Sequence, residues 1–361
     1  MVPADGAKHV ELTDPTFTKP ERRSAFDRFW LSMIRDERDL PFVHLSLQVT
    51  FVLIPLAVFL FATPDFRWWF APIYWVVLLG LFLDRCILML HNTSHRPLFK
   101  KKFRFLNNYI PWVLGPFYGE TPETYFTHHL GMHHNEGNLE DDLSSTMKYQ
   151  RDNVLHWLHY FAKFFFAGIF ELAVYFYKRG RYDFMWRTLL GEIAWYVVVV
   201  SLAVWNFEAT FTVFIFPWLF TRMGMMAGNW AQHAFIDPDR PDNDYVSSIT
   251  CINCRYNRRC FNDGYHISHH LRANRHWTDH PAELMKNREK YVAEGALVFE
   301  GVDFFEIWMM LMMKRHRALA ERLVDLGEPR SVEEKIELIK SRLRPVPTRG
   351  PAPVDAVPTA A

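Results

Sequence analysis

Four long apolar runs constrain what this chain of 361 residues can fold into. They cover about residues 45–62, 68–90, 189–205 and 211–226. A helix needs about 20 mostly apolar residues to cross the hydrocarbon core of a bilayer. The runs come in two pairs, and only a few polar residues separate the members of each pair. The pattern therefore predicts an all-α integral membrane protein with four transmembrane helices in two hairpins.

Basic residues predict how these helices are oriented. Lys and Arg cluster at 96–104 and 178–181, whereas the breaks at 63–67 and 206–208 are nearly free of them. Cytoplasmic loops carry the excess of Lys and Arg, so we expect both termini and the long loops in the cytoplasm. Residues 1–23 are polar and of mixed charge, and we expect no signal peptide there.

Nine of the 17 histidines fall into four clusters near the ends of apolar stretches. The clusters are His91 and His95; His129, His133 and His134; His233; and His266, His269 and His270. On a helix, residues three or four apart share a face, so the members of a cluster are expected on one face. The exception is His134, which projects about 100° from His133 and could serve a second metal.

These histidines predict a metal site. Neutral imidazole is a good ligand for iron, copper, nickel and zinc. Because about three or four imidazoles saturate one ion, nine predict a polyhistidine site for two ions. A single pair of histidines is readily explained as surface or core residues, but four clusters in one layer are not. Asn229 lies four residues before His233 and joins this set. We expect a cytosolic helical cap to hold the site at the bilayer face.

One further segment, 156–177, is apolar enough to cross a membrane but carries Lys163 and Glu171. Such residues suit a helix that lies in the membrane interface. If this segment crossed, the histidines before it and after it would lie on opposite sides of the bilayer, and no common site could form. The sequence therefore predicts that it lies in the cytoplasmic interface, as does the shorter piece 106–119.

Three motifs resemble the histidine boxes of the membrane-bound fatty acid desaturase and hydroxylase superfamily. They read HNTSH at 91–95, HHLGMHH at 128–134 and HISHH at 266–270, and NWAQH at 229–233 is similar to an Asn-x-x-x-His element of that superfamily. The resemblance covers about residues 45–280. It implies that the nine histidines bind two iron ions (Fe2+/Fe3+), with Asn229 as a ligand directly or through water. The extra His128 departs from the pattern.

The resemblance implies O2-dependent oxidation of a long-chain fatty acyl substrate, and desaturation is the first expectation. Hydroxylation begins with the same hydrogen abstraction, and oxidative decarboxylation of a free fatty acid to a terminal 1-alkene also stays open. We expect the bacterial inner membrane as the location. A transport protein would need polar groups through the membrane-spanning segments, and the middles of the four apolar runs are nearly free of them.

Electrons for this reaction must come from a separate partner. The sequence carries neither a Rossmann glycine pattern nor an H-P-G-G haem-domain signature. A ferredoxin with its reductase, or a cytochrome, is the expected external donor. The net charge of +1 gives no basic surplus for binding nucleic acid.

Four residues are candidates for supporting the metal ligands through hydrogen bonds. They are Asp84, His128, Asp142 and Asp263. Asp84 lies two helical turns before His91, and pairing with a neighbouring base explains it equally well. The spacing of Cys251, Cys254 and Cys260 lacks a second cysteine pair for zinc, so we expect reduced thiols.

The predicted organisation has four parts. They are a cytosolic segment with an amphipathic helix (1–41), a desaturase-like membrane domain (42–280), a cytosolic helical region (281–344) and a disordered tail (345–361). Within the third part, 304–326 predicts one helix, and 331–343 opens with a capping-box pattern. No strand-like alternation is present in the sequence.

Overall fold

The computed structural model describes residues 10–347, and this part of the chain is mostly helical. Seven helices, α1 to α7, are described first, and α7 contains the last predicted span. They are α1 (Ala25–Met33), α2 (Glu37–Ala62), α3 (Phe70–His95), α4 (Thr124–His128), α5 (Val154–Lys178), α6 (Tyr182–Trp205) and α7 (Phe207–Gln232). The predicted tail from residue 348 onward lies outside the described residues.

Shorter elements follow α7. They are α8 (Asp244–Ser247), β1 (Ile249–Ile252), α9 (Arg255–Arg259), α10 (His266–Leu271), α11 (His280–Lys286), α12 (Arg288–Glu294), β2 (Leu297–Glu300), α13 (Phe304–Met312), α14 (His316–Arg322), β3 (Leu323–Val324) and α15 (Val332–Arg342). Between α3 and α4 the chain forms three short helical pieces, Lys101–Asn108, Ile110–Leu114 and Gly115–Tyr118.

Five of the described helices, α2, α3, α5, α6 and α7, are long and apolar enough to cross a membrane. Four of them contain the predicted spans, and the fifth, α5, is the segment predicted to lie in the interface. All four extend beyond the apolar runs at their polar ends; α3, for example, continues to His95. Histidines therefore lie on the helical extensions, beyond the apolar runs.

Proline explains three π-helical turns. Val49–Leu53, Ile110–Leu114 and Phe211–Ile215 each end two residues before a proline, at 55, 116 and 217. Proline has no N–H and its ring clashes with the preceding turn, so the regular hydrogen-bond ladder cannot continue through it. The wider π turn absorbs this mismatch while the chain remains helical.

A small sheet is present that the sequence did not predict. Strands β1 and β2 are parallel, with Ile249 opposite Leu297, and β3 pairs antiparallel with β2. The three strands hold four, four and two residues. All four residues of β1 are buried, so this strand has no polar face and shows no alternation in the sequence.

The C-terminal helices differ from the prediction in one place. The single helix expected over 304–326 is two helices, because the chain turns at Lys314 with a φ of +53° and then ends in β3. The capping box of α15 is present as predicted. The side chain of Ser331 accepts from the backbone N–H of Glu334, and the Glu334 side chain accepts from the backbone N–H of Ser331.

The segment from Tyr118 to Thr124 packs tightly between α6 and α7. The Thr221 hydroxyl of α7 donates to the carbonyl of Tyr118 at 2.7 Å. On the other side, a Cβ at Gly191 of α6 would lie 1.9 Å from the carbonyl oxygen of Pro122. The glycine therefore allows the approach that positions α4 and its histidines.

We expect Gly191→Ala to destabilise the protein by about 1–3 kcal/mol, as overpacking does. Gly168→Ala in α5 is the matched control, since its Cβ would come no closer than 3.4 Å to the Phe164 ring. That variant should be neutral or stabilising by about 0.5–1 kcal/mol, because alanine favours a helix. Thermal unfolding of the detergent-solubilised proteins checks this, and equal midpoints for the two variants would contradict it.

Candidate metal centre

The structure brings all nine predicted histidines into two adjacent groups. The first group holds His91, His95, His129, His134 and His269, and the second holds His133, His233, His266 and His270. Within each group the candidate ligand nitrogens all lie within 4.8 Å of one another. The groups adjoin, since the rings of His134 and His270 have centroids 5.1 Å apart.

The division within the second motif differs from the prediction. His129 shares a group with His134, five residues on, rather than with His133. The reason is a π-helical turn over His129–His133, which bonds residue i to residue i+5 and brings residues five apart over one another. The expectation that adjacent His133 and His134 serve different metals agrees with the observed grouping.

The third motif divides in a similar way, again against the prediction of one shared face. His266 and His270, four residues apart on α10, belong to the second group. His269 lies at about −60° from His266 on the helix and belongs to the first group. One short helix therefore contributes to both groups.

The Nε2 atoms of the first group face one another. His269 Nε2 lies 3.0 Å from His91 Nε2 and 2.9 Å from His134 Nε2. His129 Nε2 lies 3.0 Å from His95 Nε2. In the second group, His266 Nε2 lies 3.2 and 3.0 Å from the Nε2 atoms of His233 and His270. Such convergence of nitrogen atoms fits coordination of a cation.

Carboxylates and a carbonyl oxygen hold the opposite nitrogen of several rings. Asp263 Oδ1 lies 3.0 Å from Nδ1 of His91, and Asp142 Oδ2 lies 2.7 Å from Nδ1 of His133. His233 Nδ1 donates to the Ser247 carbonyl at 2.9 Å. Partners of this kind fix the tautomer and leave Nε2 available to a metal.

Burial favours the neutral form of the histidines, which is the form that binds metal. Burial, together with the neighbouring His133, lowers the pKa of His233 to about 3. The same two causes, burial first and then nearby histidines, place the pKa of His269 and His270 well below the ordinary value. Burial alone would raise the pKa of the Asp142 carboxyl, but His133 and the hydrogen bonds from Ser144 more than offset this and lower it.

The remaining predicted site residues have different surroundings. The Asp84 carboxylate pairs with Arg259 rather than with a histidine, so the structure does not bring it to the two groups. His128 is half-buried, and its buried Nε2 has no hydrogen-bond partner among the described residues. The Asn229 amide nitrogen donates to the Ser144 carbonyl and the Tyr160 hydroxyl, which leaves its amide oxygen for another partner.

A cavity of about 470 Å³ adjoins both groups. His91 and His129 of the first group and His133 and His266 of the second line it. Most of its remaining wall is apolar and comes from α3, α5 and α7. The cavity therefore offers an apolar chain a route past both sets of nitrogens.

Sequence reasoning missed a buried ion pair in this wall. Arg222 Nη2 of α7 lies 2.9 Å from Glu192 Oε1 of α6, and both side chains are buried. The sequence predicts that only the middles of the four apolar runs are nearly free of polar groups, and Glu192 and Arg222 lie near the ends of their runs. The available signal was one arginine and one glutamate in consecutive spans, since ionisable residues at membrane depth are costly.

Two other sets of potential metal ligands lie within residues 10–347, a third cluster and the cysteines. Asp36, Asp39 and His276 lie close together, but Asp36 is already paired with Arg38 and Arg96. The four cysteines are buried and free. Among the described residues, none of them belongs to a group of three candidate metal ligands.

We expect Asp142→Asn to weaken metal binding at the second group by about 10–100-fold, because the amide no longer provides a charge that supports His133. Asp141→Asn is the matched control, since that carboxylate is exposed and pairs with Arg179. Iron retained by each purified protein after a chelator challenge, measured by elemental mass spectrometry, checks this. Equal retention in the two variants would contradict the role of Asp142.

Comparison with known proteins agrees with the arrangement of the site. A family model described as fatty acid desaturase matches residues 66–301, which is more than half of the chain and includes all nine histidines. No curated protein and no solved structure gives a significant match. The chain belongs to the fatty acid desaturase family.

Proposed function

We propose that this protein is a membrane-bound diiron enzyme that uses O2 to introduce a C=C bond into a long-chain fatty acyl group. Family membership supports an oxidoreductase that acts on fatty acyl chains. One observation carries the diiron part of the proposal. Five and four histidines converge in two adjacent groups on the wall of one apolar cavity.

Different residues of the protein have different roles in this reaction. Iron held by the two groups would supply, together with O2 and electrons from an external ferredoxin or cytochrome, the oxidising power that an unactivated C–H bond requires. Asp263 and Asp142 orient the ligand rings. Apolar side chains such as Leu83 and Leu172 line the cavity and keep water from an acyl chain lying past the histidines.

Desaturation is preferred because the matched family is described by that reaction. Hydroxylation and oxidative decarboxylation use the same kind of site and differ in how the substrate is held. The products distinguish the three reactions.

We also infer that four helices cross the membrane and that α5 does not. The rings of His133 and His233 are 5.3 Å apart, so both residues lie on one side of the bilayer. Three helices of spanning length, α5, α6 and α7, separate them along the chain, but an even number of crossings is needed. Arg179, directly after α5, pairs with Asp141, and Arg181 donates to the carbonyl of Gly131, so the C-terminal end of α5 lies on the histidine side and α5 is the helix that stays in the interface. The positive-inside rule supports the cytoplasm as the side of the histidines.

The topology predicts that residues on either side of α5 share one side of the membrane. We expect the variants Lys148→Cys and Lys178→Cys to behave alike when spheroplasts are treated with a membrane-impermeant maleimide. Either both cysteines are labelled or both are protected by the membrane. Asp65→Cys, in the break between α2 and α3, should show the opposite result. The native cysteines are buried and give little background. Opposite labelling of the two sites that flank α5 would contradict the inference.

The reaction is tested by feeding a deuterated saturated fatty acid to cells that express the protein and analysing lipids and headspace by mass spectrometry. We expect an internal double bond with two deuterium atoms lost. A 1-alkene one carbon shorter would identify a decarboxylase instead, and a hydroxylated product would identify a hydroxylase.

The same assay tests the metal site. His269→Ala should abolish product and lower bound iron, because His269 contacts two other histidines of the first group. His159→Ala should retain both, since His159 lies on α5 beside Tyr149 and belongs to neither group. Full activity of His269→Ala would contradict the dimetal assignment.

A further inference from the structure

The cavity that reaches the histidines has a second polar region. Glu120, Thr121, Thr124 and Arg222 line it there. Glu120 is 5% exposed, its side chain makes no hydrogen bond within residues 10–347, and its Oε1 is fully buried. A buried carboxyl without a partner is costly, and its presence on a cavity wall indicates a missing ligand.

Arg222 also has unused hydrogen-bonding capacity. Its Nη2 reaches Glu192 Oε1 at 2.9 Å and Thr121 Oγ1 at 3.3 Å. Neither Nε nor Nη1 makes a hydrogen bond in the described part of the chain, although a guanidinium has five N–H donors. Oε1 of Glu192 is well satisfied, since the hydroxyls of Thr121 and Thr124 donate to it at 2.5 and 2.7 Å, whereas its Oε2 is buried and has no partner among the described residues.

The charges of this region balance without a ligand. Arg222 is paired with Glu192. Burial raises the pKa of Glu120 to about 8, and the nearby Arg222 offsets only part of this, so the carboxyl is mostly protonated at neutral pH. A carboxylate ligand would add an uncompensated negative charge in a buried site, which is unfavourable. An uncharged oxygen acceptor would add none.

We propose that Glu120 and Arg222 bind an uncharged carbonyl oxygen of the substrate, so that the acyl chain enters as an ester-type derivative rather than as a free acid. The inference rests on the proposed acyl oxidation at the histidines. The O–H of Glu120 and the free N–H groups of Arg222 would donate to the carbonyl oxygen. The substrate class is thereby narrowed to acyl groups whose carboxyl is blocked.

The distance between this polar region and the histidines determines which bond of the acyl chain is oxidised. Arg222 lies seven residues before Asn229 on α7, a separation of about 10 Å along the helix axis. Asn229 lines the same cavity and lies one turn before His233. A carbonyl held at Arg222 therefore places an internal bond of the chain, rather than the carboxyl end, near the histidines.

The test uses the purified metal-loaded protein in nanodiscs and three radiolabelled probes, methyl palmitate, palmitate and hexadecane. We expect the unmodified protein to bind methyl palmitate about tenfold more tightly than hexadecane, the effect of one or two hydrogen bonds. Glu120→Leu should lose this preference without a lower unfolding temperature, because it removes a carboxyl that has no protein partner. Glu120→Gln should keep the preference, since its amide still donates.

Gly224→Leu is the control for simple filling of the cavity. Gly224 lines the cavity, and a Cβ there would meet no atom within 4 Å. This variant should weaken binding of all three probes alike.

Two outcomes would overturn the inference while leaving the proposed function intact. One is a Glu120→Leu variant that keeps the full preference for the ester. The other is tighter binding of palmitate than of methyl palmitate at neutral pH. Failure of the proposed function has a different signature, namely that none of the three probes binds and the unmodified protein forms no oxidised product.

Discussion

The rest of this fold must hold imidazole nitrogens close together, because they face one another at hydrogen-bond distance. Once Nδ1 of a ring donates to a carboxylate or carbonyl oxygen, the Nε2 lone pair is left facing its neighbours. The Nε2 contacts here range from 2.9 to 3.2 Å. Lone pairs repel at such distances unless a proton or a metal cation lies between them. The chain must therefore hold these rings in place through its remaining contacts.

Those contacts join segments that are far apart in the sequence. Asp263, in the loop before α10, connects that loop to α3 through its contact with His91. The π turn at 129–133 divides the histidines of the motif at 128–134 between both groups. The small sheet fixes the approach to α10, because the Cys251 N–H of β1 donates to the Gly264 carbonyl at 2.7 Å. Arg151 plays a similar part for the C-terminal helix, since its buried guanidinium donates to the carbonyls of Ala234 and Arg342.

The cavity has both an apolar wall and a polar region. Its apolar wall suits an acyl chain, whereas Glu120 and Arg222 place hydrogen-bond donors about two helical turns from the histidines. An uncharged head group bound there would fix how far the chain extends past the two groups. In that proposal, regiochemistry would follow from the length of α7 between Arg222 and Asn229 rather than from a contact at the reacting carbon.

The family, the apolar helices and the nine converging histidines can be predicted from the sequence, because apolar runs and i, i+4 spacing are local properties of a chain. How those histidines divide depends on the fold, since the π turn at 129–133 changes which residues lie over one another. It also decided that Asp84 pairs with Arg259 and that Arg222 meets Glu192. The sheet escaped prediction because its strands are short and every residue of β1 is buried. The two ion pairs join residues distant in sequence, and no local pattern encodes them.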